Sequence, residues 1–217
     1  MTKSAVALKP TLAQTASPYI LTFVLSLLLC SCALQPALTS VSTDRNKLLL
    51  WQERTAQLNE IRSWKLNGRI AIQKEKESGS ASLKWRQQGE GFEIDIIGPF
   101  GKGTVELRGD DSGVSMQDAE GLTLRAADAE TLLQKYLGWQ VPVSGLHYWI
   151  RGLPSPKTTV ETMLLDEQSR LSELTQFGWK VTYKRYQTHR EQQLPAKMEL
   201  LNEKLKVKLV LREWELP

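Results

Sequence analysis

The chain has 217 residues, a formal charge of +4, two cysteines and two histidines. Both cysteines, Cys30 and Cys32, fall in one short motif near the amino terminus, which excludes a disulfide scaffold, a thiol nucleophile or a Cys/His zinc site in the rest of the chain. The basic residues alternate with apolar ones instead of clustering, so nucleic acid is not an expected partner.

Residues 1–31 have the layout of a secretory signal, with Lys3 and Lys9 ahead of an apolar core from Tyr19 to Leu29. From Tyr19 to Leu34 there are 16 residues, with Pro36 close behind, fewer than the ~20 a spanning helix needs. The segment is therefore expected to be cleaved. Its end, Leu29-Cys30-Ser31-Cys32, resembles a bacterial lipobox, which makes Cys32 the expected lipidation site and first mature residue; Cys30, with three leucines before it, is the alternative. Lipidation would anchor the chain without spanning the bilayer. Ala33, where an Asp would favour the inner membrane, implies outer-membrane sorting by resemblance to Gram-negative lipoproteins. Losing residues 1–31 leaves 26 basic against 24 acidic side chains, and the remaining 186 residues suit one domain, expected to be a monomer.

Residues 32–43 form the lipidated terminus and a Ser/Thr/Pro-rich tether, whose Ala33–Thr43 part would reach roughly 35 to 40 Å if extended. The single domain is then 44–217. Asp44 is positioned to cap an amphipathic helix to Arg62 carrying Leu48, Leu49, Trp51, Leu58 and Ile61. Strands follow in quick succession. Trp64, Leu66, Ile70 and Ile72 alternate with charged or polar residues, and so do Ala81, Leu83 and Trp85 beyond a charged loop at Lys74–Gly79.

The stretch Ile94–Leu107 departs from ordinary hairpin chemistry. Phe92, Ile94 and Ile96 alternate with Glu93 and Asp95, Val105 and Leu107 alternate with Glu106 and Arg108, and Gly98-Pro99-Phe100-Gly101 forms the tip between them. Turn tips favour small or polar residues, so Phe100 either folds back onto its own core or is buried by something outside the hairpin. Val114 and Met116, then Leu122 and Leu124, continue the meander.

The period then changes. Ala129, Leu132, Leu133, Tyr136 and Leu137 fall at helical spacing between a possible Asp128 cap and Gly138, and Ser144 is positioned to cap a second short helix over Gly145–Arg151. These helices would either plug the core or form a lid across the open side of a curved sheet. Strands resume at Val160–Leu165, Leu171–Thr175, Trp179–Tyr183, Lys197–Leu201 and Leu205–Trp214. The fold class is mainly β (α+β): about eleven antiparallel strands, too many for a flat sheet, expected as a strongly curved, incomplete barrel with its apolar face inside.

Catalytic chemistry is poorly represented. His147, beside Trp149, and His189, in the polar Gln187–Gln193 segment, read as packing and loop residues, while Glu93 and Asp95 read as solvated carboxylates on the outer face. The GPFGKG run at Gly98–Gly103 lacks the strand-to-helix setting of a phosphate loop. No enzyme activity, metal or cofactor is expected. Seven tryptophans, at 51, 64, 85, 139, 149, 179 and 214, point either to an ordinary aromatic core or to an apolar cavity large enough for acyl chains.

The runs IGPFGKGTVELRG, ADAETLLQKYLGWQVPVSGLHYWIRGLP and LPAKMELLNEKLKVKLVLREW, together with the lipobox, resemble the LolB family of outer-membrane lipoprotein receptors over nearly the whole mature chain. The resemblance implies an eleven-stranded incomplete barrel with a helical lid over a hydrophobic cavity. It also implies transfer of acylated lipoproteins from the periplasmic carrier LolA into the inner leaflet of the outer membrane, on its periplasmic face. Partners would be the carrier, cargo acyl chains and outer-membrane phospholipid. Phe100 stands where the family carries an apolar residue needed for membrane insertion. The inward strand residues Trp64, Leu66, Ile70, Leu83, Trp85, Phe92, Ile94, Ile96, Val105, Trp179 and Val181, with Leu132, Tyr136 and Trp149 from the lid, are the candidate acyl-cavity lining. A lipid-binding sensor or shuttle, and a structural lipoprotein of an outer-membrane assembly, are the competing readings.

Overall fold

The computed structural model describes residues 37–75, 77–99 and 103–217. The signal segment, Cys32 and Phe100 lie outside the described residues. Residues Arg45–Pro217 form one compact unit.

Helix α1 spans Ala37–Asn59. It therefore starts seven residues before Asp44, and part of the expected tether is helical. Pro36 precedes it in sequence, and proline at a helix start costs nothing because the first amides have no intrahelical acceptor. Trp51 and Leu58, seven positions apart on one face, are buried. The helix stops at Asn59, short of Arg62, and carbonyls in and just after its last turn find a partner elsewhere. The buried guanidinium Nη1 of Arg151 donates to the carbonyls of Leu58 at 3.1 Å and Ile61 at 2.8 Å.

Strands β1 (Ser63–Lys74), β2 (Glu77–Gln88), β3 (Gly91–Ile97), β4 (Val105–Asp110), β5 (Gly113–Asp118) and β6 (Thr123–Ala126) form an antiparallel meander. The expected Lys74–Gly79 loop is a tight turn, since β1 and β2 pair as far as Lys74 opposite Glu77 and Glu75 takes a φ of 51°. After the helical insertion come β7 (Thr162–Leu165), β8 (Leu171–Gln176), β9 (Trp179–His189), β10 (Gln192–Leu201) and β11 (Leu205–Glu215). Here β9 and β10 run longer than alternation indicates, and they take up most of the polar segment around His189.

The sheet order is β6-β5-β4-β3-β2-β1-β11-β10-β9-β8-β7. The final strand β11 joins the two meanders by pairing with β1, from Lys65 opposite Glu215 to Lys74 opposite Leu205. Edges β6 and β7 are not paired with each other, so the barrel is incomplete. The chain between those edges, residues 127–161, holds both inserted helices. Connectivity thus carries them from one edge strand to the other.

The alternating residues sort as their chemistry requires. Ion pairs such as Lys65–Glu215 (2.7 Å), Arg86–Glu93 (2.8 Å) and Lys180–Glu173 (2.8 Å) sit largely on the solvated face and contribute little stability individually. The other face carries one continuous apolar core.

Candidate functional site

Two short helices close the concave face. Helix α2 (Ala129–Leu132) starts at Asp128, whose carboxylate accepts from the Thr131 amide at 2.7 Å, and it packs on β5 and β6. It runs on as a π-helical turn, Leu133–Leu137, ended by Gly138 at a φ of 66°. Helix α3 (Val143–Trp149) begins after Pro142, earlier than alternation and capping rules place it. Its Ser144 does not cap it as expected. The Ser144 amide and hydroxyl instead donate to the Glu130 carboxylate at 2.9 and 2.7 Å, tying α3 to α2.

The structure gathers most of the candidate lining into one interior. Trp64, Leu66, Ile70, Leu83, Trp85, Ile94, Val105, Leu132, Trp149, Trp179 and Val181 are all buried in the same core, with Phe92 and Ile96 half-buried against it. Tyr136 is a correction, since 42% of it is exposed and Lys135 Nζ lies over its ring at 5.4 Å. A π turn holds more residues than an α turn, so the residues after Leu133 are rotated away from the α-helical register that would have aimed Tyr136 inward.

Near the first strand ends, Trp64 packs on Trp85 at 5.4 Å and on Trp214 at 5.3 Å, with His147 of α3 at 6.2 Å. Burial, reinforced by the positive charges of Arg151 and Lys157, lowers the His147 pKa to about 4, so this histidine is neutral at pH 7. Glu93 is ion-paired with Arg86 at 2.8 Å. Among the described residues no His, Cys, Asp and Glu group could hold a metal ion, and no helix is long and apolar enough to cross a membrane.

At the other strand ends the interior opens. A pocket of about 310 Å³ lies between β1, β2 and β3, lined on its apolar side by Ile70, Ile72, Ala81, Ile96 and Trp139. Gly98 and Gly103, at the base of the Phe100 turn, complete its rim with Lys74 and Glu77. Of the candidate lining only Ile70 and Ile96 reach this pocket. Ile72 and Ala81 share the period-two inner face and could have been found by extending it. Trp139 follows a helix end, where no periodicity marks it.

The inserted segment covers the rest of the interior, with Trp149, Ile150, Leu132 and Leu153 0 to 1% exposed. A pocket this size is at the lower end of the roughly 300 to 1,000 Å³ typical of small-molecule sites.

The segment 62–214 matches the family model described as outer membrane lipoprotein LolB. The chain is 42% identical over 166 residues to the outer-membrane lipoprotein LolB of Nitrosococcus oceani, covering 76% of this chain and 83% of that one. It is 37% identical over 199 residues to that of Pseudomonas savastanoi pv. phaseolicola, covering 91% and 95%. Among solved structures, a LolA superfamily protein from Nitrosomonas europaea shares the fold with a TM-score of 0.51 at 11% identity, over 76% of this chain and 93% of that one. A curved antiparallel sheet with a helical insertion, matched by sequence over most of its length, places this chain in the LolB family of outer membrane lipoproteins.

Proposed function

We propose that the protein is an outer-membrane lipoprotein receptor, anchored by a lipid on Cys32, that takes acylated lipoproteins from the periplasmic carrier LolA and places them in the inner leaflet. The observation that carries this reading is the apolar pocket of about 310 Å³ opening from a Trp-rich interior directly at the base of the Phe100 turn. Cargo acyl chains cost ~0.8 kcal/mol per methylene to wet, so they pass from cavity to cavity without entering water. They enter between β1, β2 and β3 at Ile72, Ala81 and Trp139, and the α2 side of the insertion moves to admit them. Transfer needs only a tighter site in the acceptor, and no nucleotide. Phe100 then enters the leaflet and gives the chains a route out.

The test incubates the mature chain with carrier loaded with a lipoprotein, without nucleotide, followed by pull-down of each partner. Cargo should move to this protein; cargo retained on the carrier would sink the receptor reading. Phe100→Glu should still accept cargo yet fail to deliver it to phospholipid vesicles, and normal delivery would remove the role given to this turn.

A further inference from the structure

Helix α1 has an outer face that does not suit water. Leu48, Leu49 and Leu50 are 54, 51 and 55% exposed, although the inner face of the same helix is already formed by Trp51 and Leu58. A run of consecutive apolar side chains on a solvent face is avoided unless something covers it. Lys47 Nζ donates to the Leu165 carbonyl of β7 at 2.9 Å, which holds this turn of the helix against the edge strand. On β7, Met163, opposite the core residue Leu174, is 36% exposed.

We propose that Leu48, Leu49 and Leu50 rest in the phospholipid surface of the membrane and orient the anchored protein there. Three features select a lipid surface over a protein partner. Consecutive helical residues fan out by about 100° each, so these three leucines cover roughly 200° of arc, too broad for one helix or strand to bury but suited to a fluid interface. Exposed Arg45 lies one helical turn away, where it can meet lipid phosphate. Finally, Cys32 stands only sixteen positions before Leu48 in the sequence, so a lipid on it keeps this turn within roughly 55 Å of the bilayer even with the chain extended.

This contact is separate from the Phe100 turn. Strand register places Leu165 of β7 and the Gln192 end of β10, which α1 touches through Arg54, at the strand ends away from the 98–104 turn. Because the two contacts lie at opposite strand ends, they are made in turn: the leucines hold the receptor on the membrane between transfers and leave it when the Phe100 turn enters the leaflet. The inference rests on the proposed membrane placement and not on the transfer step.

The test uses the mature chain with Cys32→Ser, so that no lipid holds it, and co-sedimentation with vesicles of phosphatidylethanolamine and phosphatidylglycerol. The triple variant Leu48→Ser, Leu49→Ser, Leu50→Ser should lose roughly tenfold in vesicle partitioning. Leu122→Ser, which removes an equally exposed leucine from the β5–β6 turn, should not. Equal partitioning of triple variant and parent overturns the proposal, and so does a parent that does not bind vesicles at all. A parent that sediments as a dimer while the triple variant is a monomer overturns it too, by assigning the patch to a second copy. Binding of a fluorescent fatty acid, measured in parallel, should be the same in parent and triple variant. If the parent binds no fatty acid yet partitions through these leucines, the receptor reading fails and this one stands.

Discussion

The indole Nε1 of Trp149 donates to the side-chain oxygen of Gln176 at 3.0 Å, so the fully buried end of α3 is bonded to the fully buried end of β8. The same oxygen accepts from the Ser155 amide at 2.9 Å, and the Gln176 amide donates to the carbonyls of Ser155 at 2.7 Å and Thr158 at 2.9 Å. Tyr183 adds a bond from its hydroxyl to the Trp149 carbonyl at 3.0 Å. These bonds fix α3, whereas α2 is held by apolar packing and by Glu130. Of the two helices, α3 is therefore the one with direct polar bonds to the sheet. Gln176→Leu would strand several buried polar groups, and the expected loss of stability is about 2–4 kcal/mol, read from urea unfolding. A loss below about 1 kcal/mol would show that water replaces the amide.

His147 makes stability depend on pH. Its pKa falls from 6.5 in the unfolded chain to about 4 in the fold, so the unfolded state binds more protons between these values. The contribution of neutral His147 is complete above pH 6.5, declines as pH falls through that window and levels off below about 4. Its size is up to about 3 kcal/mol between pH 7 and 4. In His147→Phe the difference between urea midpoints at these two pH values should shrink correspondingly; an unchanged difference would assign the acid sensitivity to other groups.

Gly68 marks where β1 slips its register against β11, between Asn67 and Gly68. A Cβ there would lie 2.5 Å from the Val210 carbonyl oxygen, a backbone atom that cannot step aside as a side chain can. Gly68→Ala should destabilise by roughly 1–3 kcal/mol and loosen the β1–β11 seam, detectable as faster amide exchange in β11. Unchanged exchange there would mean the bulge relaxes locally.

Ala81 lies opposite Ile70 and lines the open pocket. Ala81→Phe fills that space from the rim. Fluorescent fatty-acid affinity should fall about tenfold with stability within about 1 kcal/mol of the parent, because the ring enters open space and not the packed core. Undiminished binding would show that acyl chains enter somewhere else.

Strand composition, the inward face and the helical insertion were legible in the amino-acid sequence because each follows from local periodicity. Leu66, Leu83, Ile94 and Val181 could be assigned to the interior by counting in twos, and Asp128 and Gly138 marked their helix ends by backbone chemistry. What local pattern could not convey was decided by groups distant in the chain. Arg151 bonds to carbonyls at the end of α1 across 90 residues or more, Glu130 claims Ser144 from its own helix, and a π turn rotates Tyr136 into solvent. The pocket is of this second kind: Ile72, Ala81, Ile96 and Trp139 lie on four separate segments, and only the twist of the sheet and the path of the insertion bring them together. Sequence determined which side chains must leave water; tertiary packing decided which of them still leave space for a ligand.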